Sequence, residues 1–200
     1  MYSLPTTVTV KDRQFHITAK GDFRMVLDCF GALNDTEIGE DSRVLASLII
    51  FYEELTFENI NDFNDYLIEL FSEMCVFINC GQQDSPGAVT KTSLIDWEKD
   101  TQIICAAINN VAKTEIRALD YLHWWTFMGY YLSVGESILS TVVSIRNKIV
   151  KGEKLDKWEQ KFRRNNPNYF DWQTNTEIDG QDLEAFLDSL RDGGEPTNEY

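Results

Sequence analysis

The longest apolar run of the chain, residues 122–146, constrains its fold more than any other feature. It reads LHWWTFMGYYLSVGESILSTVVSIR and contains two of the five Trp residues. Residues 133–135 interrupt its helical periodicity, so we interpret the run as two helices joined there. A membrane span is disfavoured because His123 and Glu136 interrupt the run, and a charge near the bilayer centre costs about 2.5 kcal/mol or more.

The first of these helices carries apolar residues around more than half of its circumference. A helix that packs on one side needs an apolar stripe only about 100° wide. The remaining arc holds only His123, Thr126, Tyr130 and Ser133. The helix is therefore either central to the core or covers a surface of another chain, and both alternatives remain open here. The residues that we expect at or just beneath a partner-binding surface are Trp124, Trp125, Phe127, Tyr130 and Tyr131.

The second helix, from about residue 136 to 151, is amphipathic but has Arg146 in the middle of its apolar arc. An unpaired buried guanidinium would be very costly, so Arg146 is expected to be a structural buried charge. It should pair with a carboxylate or cap exposed carbonyls. Asp96, Glu98 and Asp100 are a possible source of the partner. We expect these acids in the first turn of a helix, where they suit the helix dipole.

The N-terminal half has the patterns of a short β-hairpin followed by helices. Apolar residues alternate with polar ones in residues 1–20, which predicts the hairpin. Helical periodicity then predicts four helices, at about 22–34, 41–54, 61–79 and 93–113, and Asp22 is expected to be the N-cap of the first. The expected fold class is mainly α: a multi-helix globular domain, residues 1–165, with an N-terminal β-hairpin and an acidic, partly disordered C-terminal tail, residues 166–200.

Charge is segregated near the C-terminus. Residues 144–164 contain eight Lys or Arg against three acids, whereas residues 165–200 contain nine acids against one Arg. Within the basic segment, Leu155, Trp158 and Phe162 would form a narrow apolar seam on a solvated helix. In the tail, a short amphipathic helix resembles a docking element or a lid. Its apolar face would consist of Leu183, Phe186, Leu187 and Leu190.

Composition disfavours several classes of function. The net charge of −15 argues against a nucleic-acid binder, because phosphate contacts need a basic footprint. Four Cys without a CxxC pair, and only two His, predict reduced core cysteines of a cytoplasmic protein and no metal site. The start of the chain lacks the pattern of a secretory signal. No nucleotide-binding or hydrolase motif is present, so we expect no catalytic residue, no cofactor and no enzyme.

Three segments carry a resemblance to a known family. They read LPTTVTVKDRQFHITAKGDFRMVLDCF (residues 4–30), DWEKDTQIICAAI (96–108) and LHWWTFMGYYLSVGESILSTVVSIRNK (122–148). Together they resemble the phage gene-product-fifteen family, siphophage tail proteins encoded just ahead of the tape measure protein. The resemblance covers roughly residues 4–165, and the LHWW and downstream IR pairs are its most specific part.

The resemblance implies a tail assembly chaperone. Such a protein would keep the tape measure protein soluble in the host bacterial cytoplasm before the tail tube polymerises, and would be absent from the mature virion. The tail tube protein and a second copy of the chain are further possible partners, and neither nucleic acid nor membrane is expected. Two alternatives remain: a structural tail-tip or tail-completion protein, and a nucleic-acid or regulatory binding protein acting through residues 148–164.

Overall fold

The fold was obtained as a computed structural model, which describes residues 3–82 and 94–172. These residues form two compact units, 3–82 and 94–172, and each unit is described by itself. The described residues form seven α-helices and one two-stranded sheet, so the mainly α fold class with an N-terminal hairpin is confirmed. The predicted tail helix lies outside the described residues, and the division into domains at residue 165 stays a prediction.

The first unit opens with the β-hairpin. Strands β1 (Thr7–Val10) and β2 (Arg13–His16) pair antiparallel, with Val8 opposite Phe15. The two turn residues, Lys11 and Asp12, both have positive φ angles, 48° and 63°. This is the turn geometry whose twist matches that of paired strands.

Three helices complete the first unit: α1 (Phe23–Leu33), α2 (Glu40–Phe51) and α3 (Leu67–Ile78). The Asp22 carboxylate accepts the Arg24 backbone N–H at 3.0 Å and caps α1, as predicted. Helix α2 packs on both α1 and α3. The Phe15 ring is fully buried among aromatic rings of the unit, 5.7–6.0 Å from those of Tyr52, Phe63 and Tyr66.

Two predicted helix boundaries in this unit are wrong. Helix α2 ends at Phe51, not near residue 54, because Tyr52 is extended and forms a β-bridge with Ile17. The third helix was predicted from residue 61, but residues Ile60–Phe63 form a short 3₁₀ helix. The short polar residues at positions 64 and 65 separate it from α3, since such side chains favour turns over helix interiors.

The second unit contains four α-helices. They are α4 (Thr101–Ala112), α5 (Trp124–Leu132), α6 (Ile138–Val150) and α7 (Lys157–Asn165), and α4 packs on both α5 and α6. The predicted division of residues 122–146 into two helices is confirmed. Ser137 begins α6 through reciprocal hydrogen bonds with Ser140. A 3₁₀ turn, Pro167–Phe170, follows α7.

The start of α4 differs from the prediction of a helix from about residue 93. The Asp96 carboxylate accepts the backbone N–H of Lys99 at 2.9 Å and that of Glu98 at 3.2 Å, which closes a turn before the helix. The Asp100 carboxylate accepts the backbone N–H of Asp96 at 3.0 Å. These acids therefore form a side-chain-stabilised turn ahead of α4, not its first turn.

No helix in residues 3–82 or 94–172 combines the length and the apolar character needed to cross a lipid bilayer. All four cysteines lie in these ranges and are free thiols, and Cys29 and Cys105 are buried.

A carboxylate on the connector between α4 and α5 holds that connector in place. The Glu115 carboxylate accepts hydrogen bonds from Nε of Arg117 at 2.8 Å and from the Arg117 backbone N–H at 3.1 Å. It also accepts from the side-chain amide of Asn109 at 2.9 Å. The hydrogen bonds from Arg117, first from its side chain and then from its backbone, lower the pKa of Glu115 to about 2.

We expect the Glu115 carboxyl to titrate at about pH 2 and to move up towards its ordinary value of about 4.3 in Arg117→Gln. Because the folded pKa is lowered, this group stabilises the fold above about pH 4.3 and the contribution is lost as the pH falls towards 2. Carboxyl NMR of the wild type and the variant measures the shift. Arg117→Lys keeps the charge but loses the guanidinium fork, so it should retain only part of the lowering. A wild-type midpoint already near 4.3 contradicts the assignment.

Candidate functional site: the aromatic helix and the buried arginine

Helix α5 packs its aromatic face around Trp97, a residue of the turn before α4. The Trp97 ring lies 5.9 Å from that of Trp124, 6.2 Å from that of Phe127 and 5.5 Å from that of Tyr131. The rings of Trp124 and Phe127 stack at 5.4 Å, and both side chains are buried. Two of the five residues expected at or just beneath a partner-binding surface are thus core residues of the second unit.

The other three predicted surface residues are half-buried. Trp125 contacts the ring of His123 at 6.2 Å, whereas Tyr131 belongs to the cluster around Trp97. Burial and the nearby Asp100 charge raise the pKa of Tyr131. Trp125, Tyr130 and Tyr131 each keep part of their surface exposed to solvent. These three residues, and not all five, are available for direct contact with a partner.

The most exposed apolar surface of this region lies where α5 meets α6. Leu132, the last residue of α5, is 75% exposed, and Ile138, the first residue of α6, is 55% exposed. We call residues 132–138 the α5–α6 corner. Ile138 lies in the first turn of α6, at the end of the buried face of that helix. Two exposed aliphatic side chains at the ends of one short connector make this corner a candidate surface for a protein–protein contact.

His123 has a structural role that the helical wheel did not reveal. The sequence placed His123 on the polar arc of the aromatic helix, whereas the structure buries it at the helix start. Its Nδ1 accepts the backbone N–H of Trp125 at 3.0 Å, so His123 is the N-cap of α5.

Arg146 is buried, with only 1% of its surface exposed, and its guanidinium binds both oxygens of Asp100. Nη2 lies 2.9 Å from Oδ1 of Asp100. Nε donates to the carbonyl of Tyr169 at 2.9 Å, and Nη1 donates to the carbonyl of Leu94 at the same distance. The indole of Trp172 covers the guanidinium, with 4.8 Å between Cζ and the ring centroid.

Every N–H group of the Arg146 guanidinium therefore has an acceptor. Nε donates once and each terminal nitrogen donates twice, so the five donors meet the carboxylate of Asp100 and two backbone carbonyls. Of the three acids proposed from the sequence, Asp100 is the partner. Arg146 also caps exposed carbonyls, so the two alternatives considered for it occur together. This network connects α6 to the turn before α4 and to the segment after α7.

Helix α7 buries a carboxylate, and of the expected apolar seam only Leu155 and Phe162 are partly buried. Glu159 is buried, whereas Trp158 is largely exposed. The Glu159 carboxylate accepts from Nζ of Lys148 at 2.7 Å and from the Asp156 backbone N–H at 2.7 Å. These bonds, the one from Lys148 first, lower the pKa of Glu159. Because Lys148 pairs with Glu159, its charge is not free to bind a phosphate. This weakens the alternative of a nucleic-acid surface over residues 148–164.

The described part of the chain contains no group of three or more His, Cys, Asp or Glu side chains placed to hold a metal ion. Two pairs of acids in this part of the chain are engaged in other interactions. Asp96 and Asp100 accept backbone N–H groups, and Asp100 also binds Arg146. Asp156 and Glu159 cap the start of α7 together, and Glu159 also binds Lys148.

The described residues define the class as a small, mainly α-helical protein with a buried-charge network and an exposed apolar corner. Comparison with known proteins names the family. The family described as Bacteriophage Gp15 protein matches residues 2–170, so this chain belongs to it, and the resemblance seen in the sequence is confirmed. The match includes all of α1 to α7. No curated protein matches the chain significantly, and no solved structure does.

Breaking the Arg146 network should destabilise the second unit strongly. Arg146→Met leaves the buried Asp100 carboxylate without a cationic partner, and we expect a loss of roughly 3–5 kcal/mol in the free energy of unfolding. All five Trp lie between residues 97 and 172, so urea denaturation followed by Trp fluorescence reports on this unit. The exposed Lys151→Met is the control, with an expected change within about 0.5 kcal/mol.

The double variant Arg146→Met/Asp100→Leu should recover part of this loss, because it removes the unpaired charge. Recovery should be incomplete, since the carbonyls of Leu94 and Tyr169 lose their donor. A single Arg146→Met variant as stable as the Lys151 control would show that the network contributes little to folding.

Proposed function

We propose that this phage protein is a tail assembly chaperone, which binds the tape measure protein and keeps it soluble until the tail tube polymerises. Two lines of support meet in this proposal. The chain belongs to the Bacteriophage Gp15 protein family, and the residues that carry its resemblance imply this role. The observation that carries the proposal is the α5–α6 corner, where Leu132 is 75% exposed beside the half-buried aromatics of α5.

The chemistry of the corner suits a long helical partner. An amphipathic helix binds by placing apolar side chains at helical spacing against an apolar groove or face. Leu132 and Ile138 offer aliphatic surface for such a stripe, and Trp125 and Tyr130 offer aromatic surface. Trp124 and Phe127, packed on Trp97, would support this surface from beneath. The net charge of −15 would keep the protein and its complex soluble, because like charges oppose self-association.

The proposal implies where the protein works and which molecules it binds. The chaperone would work in the host bacterial cytoplasm and would be absent from the mature virion. The tail tube protein and a second copy of the chain are further candidate partners, whereas nucleic acid and membrane are not. The function consists of binding alone, with no catalytic residue, cofactor or metal.

Co-expression with the tape measure protein of the same phage tests the proposal. The wild type should carry the tape measure protein into the soluble fraction and co-purify with it. Leu132→Ser/Ile138→Ser and, separately, Trp125→Ala should weaken the complex about tenfold, the effect of losing an interface residue worth more than 1 kcal/mol. Phe57→Ser is the matched control, because Phe57 is 80% exposed in the other unit.

Circular dichroism must show that each variant is folded. If the folded corner variants solubilise the tape measure protein as well as the Phe57→Ser control does, the binding surface lies elsewhere. If mass spectrometry of purified virions finds this chain, the chaperone role is contradicted and a structural tail-tip or tail-completion role is favoured.

A further inference from the structure

A second surface, unrelated to the α5–α6 corner, lies along α7. Helix α7 and the 3₁₀ turn Pro167–Phe170 enclose a groove of about 400 Å³. Its lining combines apolar side chains with two guanidinium groups and one amide. The lining residues are Leu155, Pro167, Phe170, Gln160, Arg163 and Arg164.

The cations on α7 and just before it, two of which line this groove, lack acidic partners within residues 3–82 and 94–172. The nearby acids are used elsewhere, since Glu159 binds Lys148 and both Asp156 and Glu159 cap the start of α7. In those ranges, no ion pair joins a carboxylate to any of five cations on α7 and just before it. These cations are Lys154, Lys157, Lys161, Arg163 and Arg164.

The rest of the chain carries the complementary chemistry. Residues 173–200 contain eight acids and a single Arg, so their charge is opposite to that of α7. Within them, Leu183, Phe186, Leu187 and Leu190 recur at the spacing of one helical face. An acidic segment with one apolar face matches a groove that has an apolar lining and a basic rim.

The point where this segment leaves the second unit lies next to the groove. Phe170 lines the groove, and Trp172, two residues later, stacks on the buried guanidinium of Arg146. The Tyr169 carbonyl binds the same guanidinium, and Nζ of Lys99 donates to the Asp171 carbonyl at 3.1 Å. The 28 residues that follow are therefore tethered a few residues from the groove.

We propose that residues 173–200 of the same chain bind this groove. Leu183, Phe186 and Leu187 contact its apolar lining, and the acids around them face Arg163 and Arg164. The short tether gives the segment an effective concentration on the order of 1 mM, so an intrinsic affinity on the order of 0.1 mM leaves only about one molecule in ten undocked. Because the interaction joins exposed opposite charges, salt weakens it.

Hydrogen exchange of the full-length protein, read by mass spectrometry, tests the proposal. Amides of residues 183–190 should exchange about tenfold more slowly than in the unbound segment at low salt, and the protection should fall at 1 M NaCl. Arg163→Glu/Arg164→Glu should abolish the protection. The matched control is Lys113→Glu/Lys151→Glu, which changes the net charge equally at two exposed lysines outside the groove and should leave the protection unchanged.

A charge exchange gives the sharpest readout. Adding Glu184→Arg/Asp188→Arg to the Arg163→Glu/Arg164→Glu variant restores opposite charges and should restore most of the tenfold protection. Protection that increases with protein concentration would assign the groove to the segment of a second copy and overturn docking within one chain.

Unprotected amides in the wild type, or equal loss of protection in the lysine control, would also overturn the proposal. None of these outcomes depends on the tape measure protein, so they are independent of the proposed chaperone function.

Discussion

The buried pair of Arg146 and Asp100 is the interaction on which the second unit depends. Moving a guanidinium out of water costs several kcal/mol, and a carboxylate offsets this only when the remaining donors also find acceptors. Here the carbonyls of Leu94 and Tyr169 supply those acceptors. The requirement for complete pairing therefore holds three separate segments in one arrangement: α6, the turn before α4, and the residues that follow α7. A lysine could not replace the arginine, because it lacks the planar fork.

The same turn before α4 also buries part of the aromatic face of α5. Asp96 and Asp100 shape this turn, and Trp97 within it covers the rings of Trp124 and Phe127. The excess apolar surface of α5 thus divides into a buried part and an exposed part. Its first turns are core, covered by Trp97, whereas its end at Leu132 is exposed. The partner-binding surface that we propose is smaller than the sequence suggested and is displaced towards the α5–α6 corner.

Local signals in the sequence were sufficient for much of the fold. Strand alternation and turn residues predicted the hairpin, an Asp predicted the start of α1, and Ser and Gly predicted the break between α5 and α6. Predictions failed where a specific hydrogen bond, either distant or local, overrides the helical preference. Helix α2 stops because Tyr52 pairs with Ile17, and α4 starts late because Asp96 and Asp100 bind backbone N–H groups. Neither contact leaves a trace in helical periodicity.

The sequence by itself determined the helix content, the family, the charge segregation and the anomaly of a cation in the apolar arc of α6. These follow from periodicity and residue chemistry, which operate over a few neighbouring positions. The tertiary structure alone decided which acid pairs with Arg146, 46 positions away, and which aromatic side chains of α5 stay exposed. Burial is a property of contacts between segments far apart in the chain, so no helical wheel could divide α5 into its core part and its exposed end.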